Sequence, residues 1–202
     1  MKKALLAAAL VMASGSALAV DGGHIDFNGM VQSGTCKVGV VDTGMHSVTT
    51  DGVVTLDTAN VTDTFTEVSA TAVGLLPKEF MISVECDPGA PKNAELTMGS
   101  ASYANTSGTL NNNMNITVNG IAPAQNVNIA VHNMKNKAGA AEIKQVHMNN
   151  SSEVQELTLD AEGKGQYVFN ASYVKAPNSP AVTAGHVTTN ALYTIAVMTP
   201  TY

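Results

Sequence analysis

Apolar and polar residues alternate with a period of two through much of this chain. The first clear case is the segment 23–31, in which the intervening positions are mostly polar. Its other face carries small and apolar residues, namely Gly23, Ile25, Phe27, Gly29 and Val31. Such alternation is typical of a half-buried β-strand. The pattern predicts a strand, but it leaves open whether the strand joins its own sheet or that of a neighbouring molecule.

Further segments with strand character follow at short spacing. They are 36–41, 53–56, 78–86, 94–98, 114–118, 127–131, 154–159, 166–174 and 187–197. Within 78–86, one face carries Phe80, Ile82, Val84 and Cys86, which we expect to point into the core. Residues 60–72 fit a strand or a loop, and 140–149 fit a short helix or an edge strand. We expect a loop at 132–139 and a hairpin-type turn at 160–165. Short strands separated by polar turns predict a single immunoglobulin-like β-sandwich.

The first 19 residues have the pattern of a secretory signal peptide. Lys2 and Lys3 precede an apolar run at 4–13, and small residues at 17–19 provide a cleavage site. We expect cleavage after Ala19, with a buried N-terminal helix as the alternative. The run is too short to span a membrane, which takes roughly 20 apolar residues.

The composition supports an ordered all-β protein. Only 13% of the residues are charged and Trp is absent, while β-branched residues and turn formers are common. The formal net charge of −6 argues against nucleic acid and anionic membranes as partners, because both attract clustered Lys and Arg.

Cys36 and Cys86 are the two cysteines of the chain. In an exported protein the favoured interpretation is one disulfide, and two free thiols are the alternative. Closing a loop of this size would stabilise the fold by ~4 kcal/mol in the chain-entropy model.

Sequence motifs for catalysis or metal binding are lacking. The sequence has no Gly-x-Ser-x-Gly elbow, phosphate-binding glycine loop or His-Glu-x-x-His motif. The histidines do not pair at metal-ligand spacing; they are His24, His46, His132, His147 and His186. His132 and His147 could approach one another in space, but exposed or hydrogen-bonded histidines are the favoured interpretation. We therefore predict no enzyme activity, no cofactor and no metal.

Three segments together give the sequence a family resemblance. They are 22–31 followed by Cys36, 77–86 ending in Cys86, and 185–197 near the C-terminus. With the export signal, they make the chain resemble the pilin subunits of chaperone–usher fimbriae, in particular the major subunits of type 1 and type 3 fimbriae.

The resemblance implies an incomplete immunoglobulin-like β-sandwich that lacks its last strand. Residues 20–32 would form an N-terminal donor-strand extension ahead of a pilin domain at 33–202, with a Cys36–Cys86 disulfide. The donor residues would be Gly23, Ile25, Phe27, Gly29 and Val31. The acceptor groove would follow the C-terminal strand, at Gly185, Val187, Ala191, Tyr193, Ile195 and Val197. Tyr202 would face the chaperone, although Pro200 departs from the usual end of the family's last strand.

The resemblance also implies a function. The chain would be a structural subunit of a bacterial surface fimbria that polymerises by donor-strand complementation and supports adhesion. Its partners would be other pilin subunits, a periplasmic chaperone and an outer-membrane usher. The alternative is a minor adaptor or adhesive fimbrial subunit that binds a host receptor directly. For a lone chain, we expect the N-terminal segment to project unpaired and the groove beside 187–197 to be open.

Overall fold

In this computed structural model of the chain, the residues described are 23–32, 36–42, 51–87 and 93–198. They form eleven β-strands and no helix. The strands are β1 Gly23–Gln32, β2 Cys36–Asp42, β3 Asp51–Leu56, β4 Leu75–Cys86, β5 Asn93–Gly99, β6 Leu110–Asn111, β7 Val127–Lys135, β8 Ala141–Val146, β9 Val154–Thr158, β10 Lys164–Lys175 and β11 Val187–Met198. The predicted signal peptide, His46 and Tyr202 lie outside the described residues.

The strands form two sheets that enclose one core. The first sheet has the order β3-β1-β11-β5-β9, and the second has the order β2-β4-β10-β7-β6, with β8 also paired to β7. All pairs are antiparallel except β1 with β11. The all-β, immunoglobulin-like sandwich expected from the alternation is confirmed.

The core is built from the apolar faces of both sheets. Phe80, Ile82 and Val84 of β4 are at most 1% exposed, as their alternation predicts. Phe80 stacks on Phe169 of β10 at a ring-centroid distance of 5.4 Å. Cys86 continues the buried face and is bonded to Cys36, its register partner on β2. The disulfide is therefore confirmed, and it joins the first residue of β2 to the last residue of β4.

The strand predicted at 114–118 is wrong. Only Val118 forms an isolated bridge, with Ile121, around a turn whose Asn119 and Gly120 have positive φ values of 50° and 81°. Met114 and Ile116 are 52% and 41% exposed. Alternating apolar residues here have no partner strand to pair with, so the pattern misleads.

Two other expectations need correction. The turn at 160–165 is present, with the Asp160 amide donating to the Lys164 carbonyl at 2.9 Å, but it is not a hairpin. The strands that it joins, β9 and β10, belong to different sheets. The loop expected from residue 132 begins later, because β7 continues to Lys135 and pairs with β8. Residues 60–72 form a loop.

None of the described segments is a helix with the length and apolar character needed to cross a membrane.

Candidate functional site

The candidate site is the gap in the first sheet between β3 and β11, which we call the acceptor groove. In this chain β1 fills it. β1 runs parallel to β11, from Gly23 beside Val187 to Gln32 beside Ala196. On its other side it runs antiparallel to β3, from Gly23 beside Leu56 to Asn28 beside Asp51.

The expectation of an unpaired N-terminal segment and an open groove is therefore wrong for the lone chain. The physical reason is the free-energy cost of leaving the groove empty. Without β1, two strand edges and the apolar strip between them would face water. β1 is covalently attached close to this gap and has suitable alternation of apolar and polar residues. It therefore occupies the gap and pairs with both edges.

The register aligns the two alternating patterns. Cross-strand neighbours in a sheet share a face. The predicted donor positions therefore lie beside residues of β11 that are each at most 7% exposed. These groove residues are Val187, Thr189, Ala191, Tyr193 and Ile195. Four of them were expected from the sequence, whereas Thr189 was missed because a polar side chain gives no apolar signal at that position.

The largest residue of β1 lies beside small groove residues. Phe27 lies between Ala191 on β11 and Gly52 on β3. A Cβ atom at Gly52 would clash with Val40 of the opposite sheet, so the backbone there passes close to the core. This wall of the groove was missed from the sequence, since the alternation in 53–56 identifies a strand without identifying its neighbour.

Small positions of β1 lie beside large groove residues. Gly23 lies between Val187 and Leu56, and Gly29 lies beside Tyr193. Tyr193 is among the largest fully buried side chains of the described chain. Phe27 and the two glycines of β1 are thus matched in size by their neighbours, whereas Ile25 and Val31 lie beside Thr189 and Ile195.

A short connection fixes the direction of β1. Three residues separate Gln32 from Cys36, which begins β2 in the other sheet. Four extended Cα steps reach at most about 14 Å, and packed sheets lie about 10 Å apart. If β1 were reversed, Gln32 would lie about 30 Å away at the far end of the strand. The chain's own segment can therefore enter the groove only parallel to β11.

A cavity lies at the Gly23 end of the groove. Its volume is about 210 Å³, and its lining includes Phe65, Tyr173, Val182, Gly185 and Val187. Gly185 precedes β11 and has a φ of 156°. A Cβ atom there would clash with the backbone of 122–124. Val197, at the other end of the predicted groove set, is partly buried.

Two histidines have structural partners, although the buried Tyr167 hydroxyl has no hydrogen-bond partner. His132 is fully buried, and its Nε2 lies 2.7 Å from the Ser69 carbonyl oxygen. Burial lowers the pKa of His132. His147 Nδ1 lies 2.8 Å from the Glu153 carboxylate. Among the described residues, no group of three His, Cys, Asp or Glu side chains gathers in a way that could hold a metal ion.

Fold and groove together define an immunoglobulin-like β-sandwich in which the N-terminal strand β1 lies beside the C-terminal strand β11. The model of the Fimbrial protein family matches residues 25–197, which includes most of β1 and nearly all of β11. The chain belongs to this family. Members of the family are in general structural subunits that contact one another in a fimbria.

Among solved structures, the crystal structure of the CupB6 tip adhesin from Pseudomonas aeruginosa is similar to this chain, with 11% identity and a TM-score of 0.37. The match covers 88% of this chain and 43% of that protein, so this chain spans less than half of its length. No curated protein sequence matches the chain.

Proposed function

We propose that this protein is a non-enzymatic structural subunit of a bacterial surface fimbria and that it polymerises by donor-strand exchange. β1 of one subunit would fill the acceptor groove of the next. The subunit would pass through the periplasm with a chaperone, assemble at an outer-membrane usher and form a homopolymer that supports adhesion.

The observation that carries the proposal is the position of β1. It is the first described strand, it pairs with β3 and β11 at a gap in the sheet, and three residues connect it to the rest of the fold. Such a strand can be replaced by the same segment of another molecule without rearranging the order of the other strands. Adding a strand from another chain satisfies both the backbone edges and the apolar groove.

A neighbour's strand would have an advantage over the chain's own. The short tether restricts the intramolecular strand to the parallel direction, whereas a segment from another subunit is free to enter antiparallel to β11. Reversal would make the pairing with β11 antiparallel and the pairing with β3 parallel, and the β11 pairing is the longer one, with ten register pairs against six. Since antiparallel pairing is slightly more stable per residue than parallel pairing, the exchange favours the reversed strand. The alternation of β1 survives reversal, because every second position still lies on the same face. We therefore propose antiparallel insertion in the fimbria.

The energies are large enough for stable assembly. Burial of Ile25, Phe27 and Val31 in a neighbour's groove would contribute roughly 5–9 kcal/mol at about 1.5–3 kcal/mol each, less the cost of ordering. Head-to-tail contacts form a ring only if the rotation between neighbouring subunits closes. Where it does not close, the product is an open filament.

A covered groove would also be needed before assembly. An empty groove exposes the edges of β3 and β11 and would promote aggregation. A periplasmic chaperone that lends a strand would prevent this, and Tyr202 would lie at the chaperone-facing C-terminus.

Deleting residues 20–31 tests the proposal. The truncated subunit should bind the chaperone and accept a synthetic peptide of residues 20–32, yet add no further subunit, which electron microscopy and gel analysis of fimbriae would show. A matched control replaces the outward-register residues His24 and Met30 with Ser and should assemble. Fimbriae of normal length from the truncated subunit would contradict the proposal.

A further inference from the structure

Two long segments of the chain carry no charged side chain. Residues 96–134 and 176–202 contain no Asp, Glu, Lys or Arg. The structure brings their described parts together at Asn112, which is 6% exposed. Asn112 Nδ2 donates to the carbonyl oxygens of Ala124 and His186, both at 2.8 Å. Its Oδ1 accepts from the Thr188 amide at 2.8 Å.

A cleft of about 360 Å³ is lined entirely by residues of the first of these segments, 96–134. That volume is near the lower limit for small-ligand sites, which are roughly 300–1,000 Å³. Six asparagines dominate the lining, and we call it the asparagine cleft; they are Asn111, Asn112, Asn113, Asn115, Asn126 and Asn128. Tyr103 and the half-exposed Met114 supply the apolar part of the lining.

Hydrogen bonds within the protein hold the cleft in shape. Asn113 Nδ2 donates to the Tyr103 hydroxyl oxygen at 2.7 Å and so orients the ring. Asn111 Oδ1 accepts from Asn105 Nδ2 at 2.8 Å. Asn128 Nδ2 donates to Thr109 Oγ1 at 3.2 Å. These bonds reduce the ordering cost of binding.

The same bonds leave several polar atoms available. Within the described part of the chain, Asn111 Nδ2 has no acceptor and Asn128 Oδ1 has no donor. The Tyr103 oxygen accepts from Asn113, so its own hydrogen remains a donor. Asn128 is 5% exposed as a residue. Its unpaired Oδ1 is not one of the fully buried polar atoms, so this acceptor is accessible from the cleft.

We propose that the asparagine cleft binds a neutral, hydroxyl-rich ligand, namely one or two rings of an uncharged saccharide. A side-chain amide offers two donors and an acceptor, which suits adjacent hydroxyl groups. The Tyr103 ring and Met114 suit the C–H face of a sugar. A charged ligand would lose hydration here without a countercharge. This site is separate from β1, so it does not depend on polymerisation by donor strands.

The test is a titration of the purified full-length subunit with D-galactose, D-mannose, D-glucose and N-acetyl-D-glucosamine, followed by NMR of the side-chain amides. At least one sugar should shift the amide signals of Asn111 and Asn113 with a millimolar Kd. Sialic acid should bind at least tenfold more weakly. No shift at the cleft with any of these sugars would overturn the proposal.

Variants separate binding from folding. Asn111→Ala alters an exposed residue and should weaken the best sugar at least fivefold, and Tyr103→Phe should weaken it less than Tyr103→Ala. Asn149→Ala, at an exposed position outside the cleft, should leave it unchanged. Equal affinity in all four variants would overturn the proposal. If the cleft variants impair only fimbria assembly, the cleft is a subunit contact and the saccharide proposal fails, whereas the donor-strand proposal stands.

Discussion

At the scale of single residues, the groove discriminates by size. Gly29 lies beside Tyr193, the bulky buried residue of β11. Glycine is an unfavourable residue in the interior of a strand. The absence of a side chain at position 29, however, leaves room beside Tyr193. The neighbouring position, Asn28, lies beside Leu192, which is 56% exposed. Adjacent positions of one strand therefore differ in the volume that they tolerate.

Gly29→Leu should destabilise the monomer by about 1–3 kcal/mol, because extra volume beside a packed core residue forces rearrangement. It should also slow the assembly of fimbriae. Asn28→Leu, which adds an apolar side chain at the outward position, should change stability by less than about 0.5 kcal/mol. Urea unfolding and the rate of fimbria formation measure both effects. Equal midpoints for the two variants would refute the register.

His132 should make stability depend on pH. Because the Ser69 carbonyl can only accept, Nε2 carries the proton and Nδ1 is left buried without a partner. Burial lowers the pKa of His132 in the folded state, whereas in the unfolded chain it is near 6.5. Below that pH the unfolded state binds an additional proton, so this contribution to stability is complete above about pH 6.5 and is lost as the pH falls.

Replacing His132 with Gln, which keeps a donor for Ser69, should flatten this pH dependence. The difference between the wild-type and variant unfolding free energies should change by at most about 1.4 kcal/mol per pH unit between pH 6.5 and the lowered pKa. Above pH 7 the difference should be constant. Chemical denaturation at several pH values measures it, and parallel curves from pH 7 to pH 4.5 would exclude His132 as the source.

At the scale of elements, the alternation of apolar and polar residues predicts which face of a strand is buried better than it predicts which strands pair. The buried faces of β4 and β11 follow directly from their sequences. The strand at β1 is also correct, but its partner strands depend on a gap formed by β3 and β11, which are more than 130 positions apart. The segment 114–118 alternates equally well and remains a loop. A period-two pattern shows that a segment is able to pack as a strand with one buried face. Tertiary context decides whether a partner strand lies beside it.

β1 should open as a unit. It connects to the rest of the fold through three residues, so its backbone bonds with β3 and β11 can break together while the second sheet stays folded. Native-state hydrogen exchange should give the amides of β1 and β3 a common opening free energy that is lower than that of β4 and β10. Equal protection of all four strands would contradict this.

Weakening β1 should lower its own opening free energy and the global unfolding free energy by the same amount, because β1 is detached in both open states. Phe27→Ala removes the largest side chain from the position between Ala191 and Gly52, and we expect a loss of about 3–5 kcal/mol. The matched control is Met30→Ala, beside the exposed Thr194, which should have little effect. The discriminating variant is Val168→Ala, at a buried position of β10, which should lower protection in β4 and β10 and leave the opening free energy of β1 unchanged. If Val168→Ala lowered protection in β1 to the same extent, β1 would be part of the global folding unit.

At the scale of the whole molecule, the donor-strand proposal implies that two strands compete for one groove. The intramolecular strand has the higher effective concentration, but its tether allows only the parallel direction. The intermolecular strand is dilute and free to enter antiparallel. A subunit whose own strand fills the groove would be protected from aggregation and unable to accept a neighbour. Vacating the groove then becomes a required step of assembly.

A reversible lock tests this competition. Asn28 and Leu192 are register partners of β1 and β11, and Leu192 is 56% exposed. Paired strands bring Cα atoms into the range of about 4.4–6.8 Å that a disulfide accepts. When oxidised, the Asn28→Cys/Leu192→Cys double variant should stay monomeric under conditions in which the wild type forms fimbriae, because β1 can no longer leave.

Mild reduction that spares Cys36–Cys86 should restore assembly of the double variant, and each single variant should assemble throughout. Size-exclusion chromatography and electron microscopy provide the measurement. If the oxidised variant formed fimbriae at the wild-type rate, subunits would associate without exchanging β1. The acceptor groove would then be a closed structural feature, because a covalently fixed β1 leaves no edge on β11 for another chain to pair with.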